Sequence, residues 1–230
     1  MSLEFIIIII STIVAVSCAL PGVFLVLRGV ALLSDAVSHA ILLGIVVMFL
    51  IVGRLDSIWL IIGAALSGLL TVFLTELLIN TKRIKKDAAI GLVFPVFFSL
   101  GVIAITRFAD HIHLDADAVL LGELALAPFN RLIVFGTDFG PYSLWSMGIV
   151  LVLNTFLMLF AYKELKLSTF DPGLARALGL SPILIHYGLM TMTSITAVVA
   201  FDSVGSILVV ALMITPPATA YLLTSRCSTM

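Results

Sequence analysis

Asp35 and His39 stand four residues apart inside LLSDAVSHAILLGIVVMFLIV (Leu32 to Val52), a stretch that is otherwise mostly apolar. Positions i and i+4 share one face of a helix. A carboxylate oxygen and an imidazole nitrogen on that face suit a divalent cation, because zinc and manganese both accept such donors. One helix supplies two donors where a tetrahedral site takes four. Two copies, or a copy and a related partner, meeting at this helix across a twofold axis would bring two carboxylates and two imidazoles together. The alternative is an Asp–His pair that serves only to satisfy itself. An ionised aspartate near the middle of a membrane-spanning helix costs on the order of 3 kcal/mol, so the pair is expected to face protein interior or a water-filled path, carrying metal or protons. Ser34 and Ser38 repeat the spacing one residue earlier. Ser34, Asp35, Ser38 and His39 are therefore expected to form one polar strip, with Leu32, Val37, Ile41 and Leu42 covering the rest.

Two further stretches carry chemistry. HIHLDAD offers His111, His113, Asp115 and Asp117 as weaker outer-face metal ligands, or else as an ordinary solvated loop. KELKLSTFDPGLARALGLSP (Lys163 to Pro182) reads as a connection containing a short helix. Ser168, Thr169 or Asp171 would cap it, Pro172 would begin it, and Gly179 followed by Pro182 would end it. Leu174, Ala175, Leu178 and Leu180 give it an apolar side, to lie against its own membrane domain or a second protein. His186 is a lone histidine expected to bond a neighbouring helix, and Asp202 is expected between two spans. There is no GxxxxGK[ST] for nucleotide phosphates and no HExxH for metalloprotease chemistry.

The elements that hold these residues follow from composition. Of 230 residues, 62% are hydrophobic and 11% charged, and mean hydropathy is +1.28, far from the balance of a soluble domain. Seven apolar runs are long enough for a ~30 Å hydrocarbon core: Phe5 to Leu27, Val30 to Val52, Ile58 to Thr75, Ala88 to Thr106, Tyr142 to Tyr162, Pro182 to Phe201 and Ser203 to Ser225. Their continuity predicts an all-α polytopic membrane protein rather than a barrel. Cys18 and Cys227 have no CxxC spacing and form no disulfide framework. With alternate connections assigned to opposite sides, nine of twelve basic residues fall on one side, while Arg54, Arg107 and Arg131 lie among acidic residues on the other. The basic side is expected to be cytoplasmic, which puts the amino terminus outside, and the acidic outer face would gather cations. The long outer connection, Arg107 to Pro141, is expected to hold a surface helix or re-entrant piece.

LRGVALLSDAVSHAILLGI resembles the signature of membrane subunits of bacterial zinc and manganese ABC importers, the ABC-3 metal permeases. The resemblance continues in order through KKDAAIGLVFPVFFSLGVI, HLDADAVLLGELAL, STFDPGLARALGLSP and VGSILVVALMITPPATAYLLT. It implies one permease domain over residues 1–230 in the bacterial plasma membrane, a transport subunit and not itself an enzyme, with manganese or zinc as cargo. No intrinsic cofactor and no nucleic-acid partner are expected. The implied partners are a second permease subunit, identical or related, a cytoplasmic ABC ATPase and an external metal-binding protein. Asp35 and His39 match the family's intramembrane metal positions. Residues 166–181 match its cytoplasmic coupling helix, with Phe170, Asp171, Pro172, Gly173, Ala175, Leu178 and Gly179 facing the ATPase. Family members usually continue with at least one more span, so the chain is expected to lack its C-terminal helix. The alternative from the residues alone is a gradient-driven metal carrier, which needs no ATPase.

Overall fold

The computed structural model describes residues 3–53, 58–108, 131–134 and 137–224. In chain order these form α1 (Leu3–Leu27), α2 (Leu32–Val52), α3 (Ile58–Asn80), α4 (Lys86–Phe108), β1 (Arg131–Val134), β2 (Thr137–Pro141), α5 (Tyr142–Phe170), α6 (Pro172–Ala177), α7 (Pro182–Val204) and α8 (Ser206–Leu223). Seven helices among the described residues, all but α6, are long and apolar enough to cross a membrane. The all-α polytopic fold expected from the sequence is thus present.

Several boundaries differ from the sequence expectation, among them the end of α7, which runs on to Val204 and so takes in Asp202, expected between two spans. α3 continues past Thr75 to Asn80 and thereby takes in Glu76. α5 continues past Tyr162 to Phe170, so the first eight residues of the expected connection are helical; its 29 residues reach about 43 Å at 1.5 Å per residue, well beyond a bilayer core. Lys163, Glu164 and Lys166 mark its exit from the apolar layer, and charge ends a membrane span without ending a helix. In the outer connection, residues 131–134 and 137–141 form an antiparallel ribbon in which Ile133 pairs with Asp138 and Val134 with Thr137; residues 109–130, in which the expected surface helix or re-entrant piece would fall, lie outside the described residues. The HIHLDAD segment lies outside the described residues.

The bundle centre is built by α1, α2, α7 and α8, with Val14, Leu25, Ala36, Val37, Ile41, Met190, Val209 and Met213 in one buried cluster. Small residues set the closest approaches. A Cβ on Gly44 would overlap the carbonyl of Gly63, so α2 and α3 touch backbone to backbone, and Ser67 donates across the same seam to the Ala40 carbonyl at 2.6 Å. Proline supplies a second device. Pro217 has no N–H for the Met213 carbonyl four residues back, and the bare face of Gly22 in α1 lies against that carbonyl. Pro21 likewise frees the Ser17 carbonyl, which accepts from the Asn154 side chain of α5. Within a membrane such groups need partners from neighbouring helices, since no water reaches them. The remote faces of α4 and α5, including Ile103, Val152, Leu159 and Phe160, stay exposed, as lipid-facing residues do.

Candidate metal site and docking helix

Asp35 stands in the first turn of α2 and His39 one turn further on. At 1.5 Å per residue they lie about 5 and 10 Å from the start of the helix, in its first third rather than near its middle. His39 Nδ1 is 3.3 Å from Asp35 Oδ1 and 3.0 Å from the Asp35 carbonyl oxygen. Both partners only accept when the carboxylate is ionised, so in the neutral ring Nδ1 carries the proton and Nε2 keeps its lone pair. That is the tautomer a metal ligand needs, with the second ring nitrogen oriented by a carboxylate or carbonyl as in most metal-binding histidines. Phe94 and Phe98 of α4 set their rings 5.8 Å from the imidazole centroid and hold its other side.

The expected four-residue strip is divided. Ser34 and Ser38 are buried and spend their hydroxyls on the carbonyls of Ala31 and Ser34 in their own helix. The Asp35 and His39 side chains stay 37% and 29% exposed on the surface of the single subunit. Adjacent helical residues point about 100° apart, so the serines turn into the bundle while the ionisable pair turns out of it. Among the described residues no group of three or more His, Cys, Asp or Glu gathers. One chain therefore offers a fixed imidazole nitrogen and a carboxylate, half of a tetrahedral donor set.

α6 follows α5 with only Asp171 between them. Of the three expected caps, Asp171 is the one used: its Oδ1 accepts from the Leu174 amide at 2.9 Å, with Pro172 in the first turn. Gly179 adopts φ +82°, and Gly179 and Leu180 donate to the carbonyls of Arg176 and Ala175 to close the C-terminus. Ala175 is fully buried, whereas Phe170, Leu174 and Leu178 are exposed. The helix thus presses one small side chain against its own subunit and presents the larger ones outward.

Sequence reasoning missed a third group of residues. Arg28, just past α1, donates from Nε to Thr169 Oγ1 at 3.0 Å, from Nη2 to Ser168 Oγ at 2.9 Å and from Nη1 to His186 Nδ1 at 3.0 Å. Since a guanidinium cannot accept, His186 Nδ1 is unprotonated and Nε2 carries the hydrogen, donated to Glu76 Oε1 at 3.1 Å. Burial lowers the pKa of Arg28, and the Glu76 charge opposes the shift. His186 is bonded to a neighbouring helix, as expected. Glu76 was legible as the one acidic residue of α3, but it was hidden when the apolar run was closed at Thr75. The cluster also shows that the ends of α1, α3 and α5 and the start of α7 lie on one side of the bundle, the alternation inferred from the basic residues.

Seven helices among the described residues long and apolar enough to cross a membrane, with ionisable residues turned out of one of them and a capped helix at one end, define a polytopic membrane protein. The ABC 3 transport family matches residues 3–230, and the chain belongs to it. It is 52% identical over 226 residues to a manganese transport system membrane protein, MntD, of Bacillus subtilis (strain 168), covering 98% of this chain and 76% of that one. It is also 52% identical over 210 residues to a zinc transport system membrane protein, TroD, of Treponema pallidum (strain Nichols), covering 91% of this chain and 57% of the relative. Among solved structures, PsaBC from Streptococcus pneumoniae in complex with Fab superposes with a TM-score of 0.76 at 30% identity, covering 100% of this chain and 76% of the other.

Proposed function

We propose that the chain is the permease subunit of an ATP-driven importer of a divalent transition metal, manganese or zinc. The observation that carries this function is the Asp35–His39 pair, in which Nδ1 is bonded to Asp35 and the side chains turn out of the single subunit. A second permease subunit, identical or related, would face it with the same donors, so that two carboxylates and two imidazoles share the ion. The names of the relatives, manganese in one and zinc in another, support a first-row metal as cargo. The donor set suits both ions.

In this mechanism an external metal-binding protein delivers the ion at the acidic face, with the amino terminus outside and the protein in the bacterial plasma membrane. Asp35 and His39 replace part of the hydration shell inside the bilayer. A cytoplasmic ATPase grips α6 through Phe170, Gly173, Leu178 and Gly179, while Asp171, Pro172 and Ala175 hold the helix in shape. Its closure on ATP switches the side to which the metal site opens. Membership of an ABC family leaves the gradient-driven alternative without support.

The test is metal uptake by the permease reconstituted with its ATPase and binding protein, comparing native chain with Asp35→Ala and His39→Ala under manganese and zinc separately. Loss of uptake to background in both variants, with the complex still assembled, is expected. Unchanged uptake in both would remove the site, and uptake without ATP would remove the ATP-driven mechanism.

A further inference from the structure

Resting on the transport function proposed above, we propose that Arg28 is the positioning residue that couples the docking helix to the metal-site helix. Its guanidinium is the meeting point of both. On one side it holds Ser168 and Thr169, in the last turn of α5, three and two residues before the Asp171 cap of α6. Both hydroxyls give their own hydrogens to the Leu165 carbonyl, so their oxygens are set to receive a donor. On the other side Arg28 stands four residues before α2, and that linker is stiff. Gly29 takes φ +64° and donates to the Val26 carbonyl, Val30 donates to Leu25, and Leu33 and Ser34 continue the ladder to Val30 and Ala31. A displacement of the end of α5 is therefore passed to the first turn of α2, where Asp35 sits, rather than absorbed by the linker.

The surroundings allow a second arrangement. A cavity of about 350 Å³ adjoins the cluster, lined by Arg28, Thr75, Glu76, Lys86, Ser168 and His186. The Thr75 hydroxyl oxygen is buried there without a hydrogen-bond partner. Thr75 and the Glu76 carboxylate on α3 are acceptors the guanidinium can take up when Ser168 and Thr169 move away with the ATPase. Coupling between distant sites requires an element with two discrete arrangements, and the two acceptor sets provide them. The fork geometry of arginine matters, because a lysine ammonium cannot hold three acceptors spread over two helices in fixed directions.

The experiment measures ATP hydrolysed per metal ion imported by the complete reconstituted complex, together with equilibrium metal binding and ATPase co-purification. For Arg28→Ala, metal binding and assembly are expected to stay within about twofold of native while ATP used per ion rises at least about tenfold, coupling energies between linked sites being worth roughly 5- to 150-fold. Arg28→Lys is expected to recover only part of the ratio. The double variant Ser168→Ala, Thr169→Val, which leaves the Arg28–His186 contact in place, is expected to show the same uncoupling and decides the matter should Arg28→Ala fail to assemble. A native ATP-to-metal ratio in either assembled variant overturns the proposal. A merely structural role would lower hydrolysis and import together, leaving the ratio unchanged. The site itself fails separately, through Asp35→Ala and His39→Ala.

Discussion

The side-chain amide of Asn154 lies 3.0 Å from the Ser17 carbonyl, the acceptor that Pro21 leaves without a helical donor, and 2.8 Å from Thr196 Oγ1. One fully buried polar side chain thereby ties α5 to both α1 and α7. Asparagine in a membrane core is costly unless its donors are used, and here a proline in another helix creates the acceptor it uses.

Asn154→Leu is expected to lower stability by about 1–3 kcal/mol, the penalty for an unsatisfied buried group, read as an earlier thermal transition in detergent. Adding Pro21→Ala to that background restores an N–H for Ser17 and should recover part of the loss. Equal losses with and without Pro21→Ala would show that the Ser17 carbonyl is not what Asn154 serves.

Backbone contact between α2 and α3 makes a graded test of packing. Gly44→Val forces a side chain into the Gly63 carbonyl, whereas a Cβ on Gly91 meets nothing within 4 Å. Overpacking typically costs about 1–3 kcal/mol and more where backbone must move. Gly44→Val should reduce the yield of folded protein, and Gly91→Ala should leave thermal stability near native.

Metal binding at Asp35 and His39 should weaken on acidification, because a proton added at Nε2 takes the lone pair that would bind the ion. The sign is fixed: lower pH means lower affinity, with the fall centred on the imidazole titration. Asp35→Asn removes a charged donor to the ion as well as the acceptor that orients His39, and should cost at least roughly the 10- to 100-fold in affinity that loss of an orienting carboxylate alone brings elsewhere. Equilibrium metal titration of the assembled permease across pH measures both, and a flat profile in the native protein would count against the imidazole as ligand.

Asp171→Lys is expected to weaken ATPase association by removing the cap of α6, worth about 1 kcal/mol on its own, and by reversing the charge there. Asp171→Asn retains a capping oxygen and should keep most co-purification. If the two variants lose association equally, charge rather than the cap is what the partner reads.

Seven spans, the alternation of their connections and the capped helix at Pro172 were all legible in the sequence, because each rests on local physics. A span is a matter of length and hydropathy, and a cap is a matter of residues within one turn. The chemistry of Asp35 and His39 was legible for the same reason, since i and i+4 meet in any helix. What one chain could not reveal was direction: Ser34 and Ser38 belong to the interior and Asp35 and His39 to the surface only because α3, α4 and α7 occupy particular sides of α2. Glu76, His186, Arg28 and Thr169, scattered from residue 28 to residue 186, formed no motif and became a cluster only when four helix ends converged. Local propensity decided which residues are helical, and tertiary packing decided which polar groups those helices bring within hydrogen-bonding distance, because such distances depend on neighbours that no sequence window contains.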